Sequence, residues 1–253
     1  MLEPRRPLAR LLGFRLLPAA LVVLFCVPGC RRAEDTVGEL TRLAGTKTDK
    51  GASVHHFTEV YERFFGPLKH RADKVFEIGI AGGGSLEMWR DYFPKAVIFG
   101  IDIYPKAELD SDRVRTFVAD QADRAQLAAF VDRFGGGYDI IIDDGGHSME
   151  MQQVSLGFLF RYVKPGGYYV IEDVHTSLPE RWSGFGVEPG GGNSTLAMLN
   201  GFIASGRVQS PYLSGAEEKH LARSIEYCNL FSRNNRFRSL TCILKKRTAA
   251  EER

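Results

Sequence analysis

The sequence predicts an α/β fold, a doubly wound and mostly parallel sheet closed by a C-terminal antiparallel hairpin. Three observations carry that expectation. Short apolar runs alternate with helical patterns through the middle of the chain, the signature of βαβ units. A glycine cluster follows the first such run and opens the next helix. Two later runs end in acids, where an open parallel sheet presents its carboxyl edge to a ligand.

In chain order, Glu34 to Leu43 reads as a short helix and Gly45 to Gly51 as a polar, turn-rich loop. Phe57, Val60, Tyr61, Phe64 and Phe65 recur at helical spacing, so His55 to Phe65 is a helix ended by Gly66-Pro67. Lys74 to Ile78 is the first strand, and Ser85 to Tyr92 the helix behind the glycines. Val97 to Ile101 is a second strand ending at Asp102, and Val114 to Val118 a third ending near Asp120-Gln121. Ala122 to Phe134 is helical, Tyr138 to Ile142 a fourth strand and Met149 to Tyr162 helical. Pro165-Gly166-Gly167 turns into a fifth strand, Tyr168 to Ile171. Beyond Ser177 the pattern loosens. A glycine-rich loop around Trp182 and Phe185 precedes a helix from Asn193 to Ala204. Ser224 to Phe231 and Leu240 to Lys245 then form the closing hairpin, completing a Rossmann-like sheet.

The chain has 253 residues, enough for one large α/β domain. A net charge of +2 gives no electrostatic reason to expect nucleic acid as a partner. The four cysteines, Cys26, Cys30, Cys228 and Cys242, lack zinc-site spacing. Cys228 and Cys242 fall where neighbouring strands can bring them face to face, as reduced thiols in a cytoplasmic protein.

Residues 1–33 read differently. Arg5, Arg6, Arg10 and Arg15 precede an apolar stretch from Leu16 to Gly29, followed by Cys30 and Arg31-Arg32. That is the layout of a secretory or lipoprotein signal, and it is too short for a membrane span. A targeting signal, a membrane anchor and an upstream extension are the three readings, and fold reasoning is confined to residues 34–253.

At the first strand end, Glu77-Ile78-Gly79 and Gly82-Gly83-Gly84-Ser85 let the backbone approach a ligand closely. Asp102, about 20 residues on, is placed to take both hydroxyls of a ribose. The pattern alone suits NAD or S-adenosylmethionine. Glu77 before the first glycine, and a hairpin in place of a second mononucleotide half, favour the sulfonium ligand. At the other strand ends, Asp143-Asp144-Gly145-Gly146-His147 and Glu172-Asp173 bring Asp144, Glu172 and Asp173 around a hard cation with His147 beside them. Oxygen ligands suit Mg²⁺ or Ca²⁺ over zinc.

With these motifs in this order, residues 45–176 resemble class I S-adenosylmethionine-dependent methyltransferases, specifically the metal-dependent O-methyltransferases of antibiotic deoxysugars. The matching stretches include Thr48-Asp49-Lys50, Glu77-Ile78-Gly79, Gly83 to Trp89, Gly100 to Tyr104, Asp120-Gln121, Ile142 to His147 and Lys164 to Asp173. The resemblance implies Mg²⁺ on Asp144, Glu172 and Asp173, with His147 as the base. It implies donor binding by Glu77, Gly79, Gly83, Ser85, Asp102, Asp120, Gln121 and Asp143. It makes His55 or His56 pocket-lining. The expected partner is a small hydroxylated, sugar-like acceptor chosen by residues 181–222, where the match is loose. An oligomer is compatible with this reading, and a membrane association only if the leader is real. A catechol or phenol acceptor, a non-catalytic surface-anchored protein and, third, a nicotinamide enzyme are the competing readings.

Overall fold

The structure, a computed structural model, describes residues 37–248. The leader reading of residues 1–33, with Cys26 and Cys30, lies outside the described residues, as do residues 34–36 of the first expected helix. Two short helices come first, α1 (Glu39–Ala44) and α2 (Phe57–Phe65). The alternating body follows as β1 (Lys74–Ile78), α3 (Gly84–Tyr92), β2 (Val97–Asp102), β3 (Val114–Val118), α4 (Arg124–Phe134), β4 (Tyr138–Asp143), α5 (Met149–Leu159) and β5 (Val163–Ile171). The chain closes with α6 (Thr195–Ser205), α7 (Gly215–Ser224), β6 (Ile225–Ser232) and β7 (Leu240–Lys246).

The strands form one seven-stranded sheet in the order β3-β2-β1-β4-β5-β7-β6. Pairings from β3 through β5 are parallel, and those of β7 with β5 and β6 are antiparallel. Strand order reverses between β1 and β4, the switch point at which such sheets bind ligands. The strands are apolar throughout because both faces are covered. Val75, Ile140 and Ile142 pack against α1, α2 and α3 around Tyr61 and Trp89, whereas Phe76 and Ile141 join Phe130, Leu156 and Leu221 on the opposite face. Alternation along β4 therefore assigns its last apolar residues to opposite layers.

Register fixes the ligand edge. Ile78, Asp143 and Ile171 lie side by side at the ends of β1, β4 and β5. Asp144 donates its backbone N–H to the Ile78 carbonyl at 2.9 Å, and Glu172 donates to the Asp143 carbonyl at 2.9 Å. One further residue along each strand thus sets Gly79, Asp144 and Glu172 next to one another.

Two elements differ from the sequence reading. Strand β5 begins at Val163, ahead of the expected turn, and a register shift between Tyr138 and Ile140 absorbs Lys164 to Gly167. Helix α7 was not expected. Its start is a capping box in which the Ser214 hydroxyl accepts from the Glu217 N–H and the Glu217 carboxylate returns to Ser214. Cys228 and Cys242 meet across the hairpin as buried free thiols, with sulfurs 3.0 Å apart. Among the described residues, no helix is long and apolar enough to cross a membrane.

Candidate active site

A cavity of about 520 Å³ opens at the switch point, over the ends of β1, β2 and β4. Its wall contains Gly79, Ser85, Asp102, Asp120, Gln121 and Asp144. Asp102 organises the rim: its Oδ2 accepts from the N–H groups of Ile80 and Ala81 at 3.0 and 3.1 Å, and its Oδ1 from Tyr104 at 3.0 Å. The carboxylate thereby holds the glycine loop in place before any ligand arrives. Gly79 sits at φ +85°, and a Cβ there would lie 2.1 Å from the Asp144 carbonyl oxygen. Only glycine allows β1 and β4 to part this narrowly. Ile103 and Tyr104, more than half exposed, stand at the outer edge of the cavity.

The other residues expected at the donor lie behind the wall. Glu77 is fully buried and accepts a hydrogen bond from the Ser85 hydroxyl at 2.6 Å. Gly83 precedes α3 as its cap. Asp143 is also fully buried, accepting from the Gln121 amide at 3.0 Å and from the Ser155 hydroxyl. Gln121 in turn accepts from the Gly146 N–H at 2.7 Å, so Asp143 braces the cavity from beneath. Burial pushes the Asp143 carboxyl up to about 6, against the pull of the Ser155 and Gln121 hydrogen bonds.

Beside the cavity, Asp144, His147 and Asp173 converge so that one donor atom from each lies within 4.8 Å of the others. His147 Nε2 is 3.6 Å from Asp173 Oδ2 and 3.9 Å from Asp144 Oδ1. Both His147 and Asp173 occupy the left-handed region, at φ 56° and 53°. Such strain in non-glycine residues persists only where the surroundings enforce it, and it concentrates at functional sites. Asp173 Oδ1 and His147 Nδ1 are buried with no hydrogen-bond partner. Orphaned polar atoms of this kind signal a missing partner. Two carboxylates, one with an unsatisfied oxygen, match the donor set of a hard divalent cation. Burial, followed by the neighbouring Asp144, pushes the Asp173 carboxyl up to about 7. Burial also lowers the His147 pKa, which favours the neutral imidazole that can accept a proton.

Glu172 adjoins this cluster through a lysine that it shares with Asp144. Its Oε1 accepts from the Tyr61 hydroxyl at 2.8 Å and its Oε2 from Lys50 Nζ at 3.1 Å. Lys50 also pairs with Glu77 and hydrogen-bonds Asp144. Burial opposes the Lys50 charge, but Asp144, Glu172 and Glu77 hold its pKa well above the usual lysine value. Lys50 stood in the sequence only as part of a matching stretch and Tyr61 only as an apolar helix position. His55 does not line the cavity; its Nδ1 is 3.8 Å from Asp173 Oδ1 and 2.6 Å from the Ser239 hydroxyl. His175 reaches the same carboxylate oxygen at 3.7 Å and meets the Trp182 ring at 5.0 Å between centroids.

Comparison with known proteins agrees with this geometry, although no family model matches the chain. The chain is 39% identical over 181 residues to the 8-demethyl-8-(2-methoxy-alpha-L-rhamnosyl)-tetracenomycin-C 3'-O-methyltransferase of Streptomyces olivaceus, a match covering 68% of this chain and 46% of that one. It is 40% identical over 178 residues to the demethylmacrocin O-methyltransferase of Streptomyces fradiae, covering 68% and 44%. The mycinamicin VI 2''-O-methyltransferase of Micromonospora griseorubida is 38% identical over 182 residues, covering 69% and 44%. The matched stretch is thus about half the length of these curated relatives. Among solved structures, the MycE methyltransferase of the mycinamycin pathway, in complex with Mg, SAH and mycinamycin VI, matches with a TM-score of 0.69 and 30% identity. That match covers 84% of this chain and 56% of the other. By its strand order, its motifs and these similarities, the chain belongs to the class I S-adenosylmethionine-dependent methyltransferases and is related to the sugar O-methyltransferases of macrolide and tetracenomycin pathways.

Proposed function

We propose that the protein transfers a methyl group from S-adenosylmethionine to a hydroxyl of a sugar-like acceptor, with Mg²⁺ held between Asp144 and Asp173, in the cytoplasm. The observation that carries this reading is the convergence of Asp144, His147 and Asp173 directly beside the cavity that Asp102 and Gly79 shape. The structural relative with 30% identity was solved with SAH and Mg, and the curated relatives are named as O-methyltransferases, one of them of a rhamnosyl tetracenomycin.

The donor brings an electrophilic methyl on sulfur, and a divalent cation held by Asp144 and Asp173 would act as a Lewis acid on an acceptor oxygen. The chain's own residues do the rest. Asp102 and the loop after β1 orient the donor, since the loop is already fixed by two backbone hydrogen bonds to that carboxylate. Asp144 and Asp173 supply negative charge where a sulfonium and a cation would otherwise repel. His147 Nε2 faces the two carboxylates and takes the proton of the acceptor hydroxyl. The neutral imidazole favoured by burial is the form this step requires.

Calorimetric titration of the full chain with S-adenosylmethionine and, separately, NAD tests the donor assignment, with saturable binding expected for the first alone. Turnover on a panel of glycosylated and catechol acceptors, with EDTA and then Mg²⁺, tests the rest. Chelator-resistant transfer overturns the metal role, and transfer confined to catechols overturns the acceptor class.

A further inference from the structure

The C-terminal hairpin carries a pair of thiols that the methyl-transfer site does not use. Cys228 on β6 and Cys242 on β7 are the free cysteines among the described residues. In the antiparallel register Cys228 faces Leu244 and Leu230 faces Cys242, so the two cysteines are diagonal neighbours. Both side chains enter the same core layer, where the sulfurs meet at 3.0 Å. A covalent bond would need them to close by only about 1 Å. Their access to solvent differs. β6 is the edge of the sheet, where local opening is easiest, and Cys228 is 8% exposed. Cys242 lies on β7, between β5 and β6, and is fully buried. Burial, followed by the adjoining Cys228, pushes the Cys242 thiol well up and keeps it protonated. The chain between the two cysteines includes the loop after β6. There the Phe237 ring lies 5.2 Å from His55 and 6.2 Å from Trp182 between centroids. Asn235 in the same loop donates to the Val54 carbonyl at 2.9 Å.

We infer that Cys228 and Cys242 are a covalent modification site: a small-molecule disulfide oxidises them to an intramolecular disulfide that fastens β6 and its loop to β7. The inference is independent of the methyl-transfer reading. Cys228, as the thiolate, attacks one sulfur of the small disulfide, whose S–S bond breaks. The leaving sulfur takes up the proton that Cys228 gave up and departs as a thiol. Cys242 then attacks the Cys228 sulfur of the mixed disulfide, and its proton goes with the second departing thiol. Two protein thiols are oxidised and one small disulfide is reduced to two thiols. Cys228 attacks first because it is nearer the surface, and Cys242 completes the bond because it already lies beside it. The bond closes a ring that contains the loop carrying Phe237. A cross-link of this kind acts chiefly by removing freedom from the opened chain.

Incubation of the folded full chain with hydroxyethyl disulfide, followed by alkylation in denaturant and peptide mass mapping, tests this. The expected product is a cross-linked pair of peptides carrying Cys228 and Cys242, reversed by excess mercaptoethanol. Mapping by peptide separates this bond from any made by Cys26 or Cys30. The oxidised chain is expected to melt about 5 °C or more above the reduced chain. Tryptic cleavage at Arg233, Arg236 and Arg238 in the loop is expected to slow by about threefold or more. In Cys228→Ser and Cys242→Ser the oxidant should yield no cross-link at the hairpin and no rise in Tm. Alkylation of both wild-type thiols after oxidation overturns the inference, as does a cross-link that forms only in denaturant. A cross-link in the folded chain that leaves both Tm and cleavage unchanged overturns the fastening of β6. If either serine variant fails to fold, the peptide map and melting curve of the wild-type chain decide alone.

Discussion

The donor cavity and the acid cluster lie on the same sheet edge but are built by different means. The cavity is made mostly of backbone: glycines after β1, N–H groups turned toward Asp102, and the parting of β1 from β4. The acid cluster is made of side chains that reach one another from three strand ends and from α2. A backbone-built pocket tolerates many side chains on its walls and depends on a few conformations. A cluster of buried charges depends on each member's partner, because one unpaired group in low dielectric is costly.

The largest expected effect separates the two regions. His147→Ala should lower kcat by about 10²- to 10⁴-fold. S-adenosylmethionine affinity by calorimetry should be unchanged, since His147 is not in the cavity wall. A parallel fall in donor affinity would show that the regions are not independent. Next, Gly79→Ala should break both at once, because its Cβ would enter the Asp144 carbonyl from a φ of +85°. A loss of about 3 kcal/mol or more in denaturant unfolding is expected, together with loss of donor and Mg²⁺ binding.

Asp143 joins the regions, and its ionisation gives a pH test. Its pKa rises from 3.8 unfolded to about 6 folded, so folding favours the protonated acid. The stabilisation is complete below the unfolded value, declines between about pH 4 and 6, and is absent above the folded value. Asp143→Asn should flatten that decline, by up to about 3 kcal/mol, in unfolding curves measured from pH 4 to 8. The smallest effect belongs to Asp102→Ala. Donor affinity should fall by about tenfold, or about 1.4 kcal/mol, with Mg²⁺ affinity intact.

How much of this was legible in the sequence follows the same division. The strand ends, the glycine loop and Asp102 were readable because each is a local requirement, with Asp102 only 22 residues from the loop N–H it holds. The mostly parallel sheet and its antiparallel closure followed from the alternation of elements and the two final strands. The partners of Glu172 were not readable, because Lys50 and Tyr61 lie 122 and 111 residues away along the chain. Nothing in a loop lysine or an amphipathic tyrosine marks which buried acid it will meet. Helix α7 did leave a signal, Ser214 three residues before Glu217, but Leu221 is the one hydrophobic residue it buries.

The in-register ends of β1, β4 and β5 carry a consequence for how the site can evolve. Asp143 and Asp144 are neighbours pointing to opposite sides of the sheet, one bracing the cavity from below and the other facing His147. A single residue inserted or deleted within β4 would exchange their places, since side-chain direction alternates with period two. Asp143 would then point at the histidine and its successor into the apolar layer. The site can therefore drift by substitution at many of its walls, while the length of β4 is held fixed to the residue.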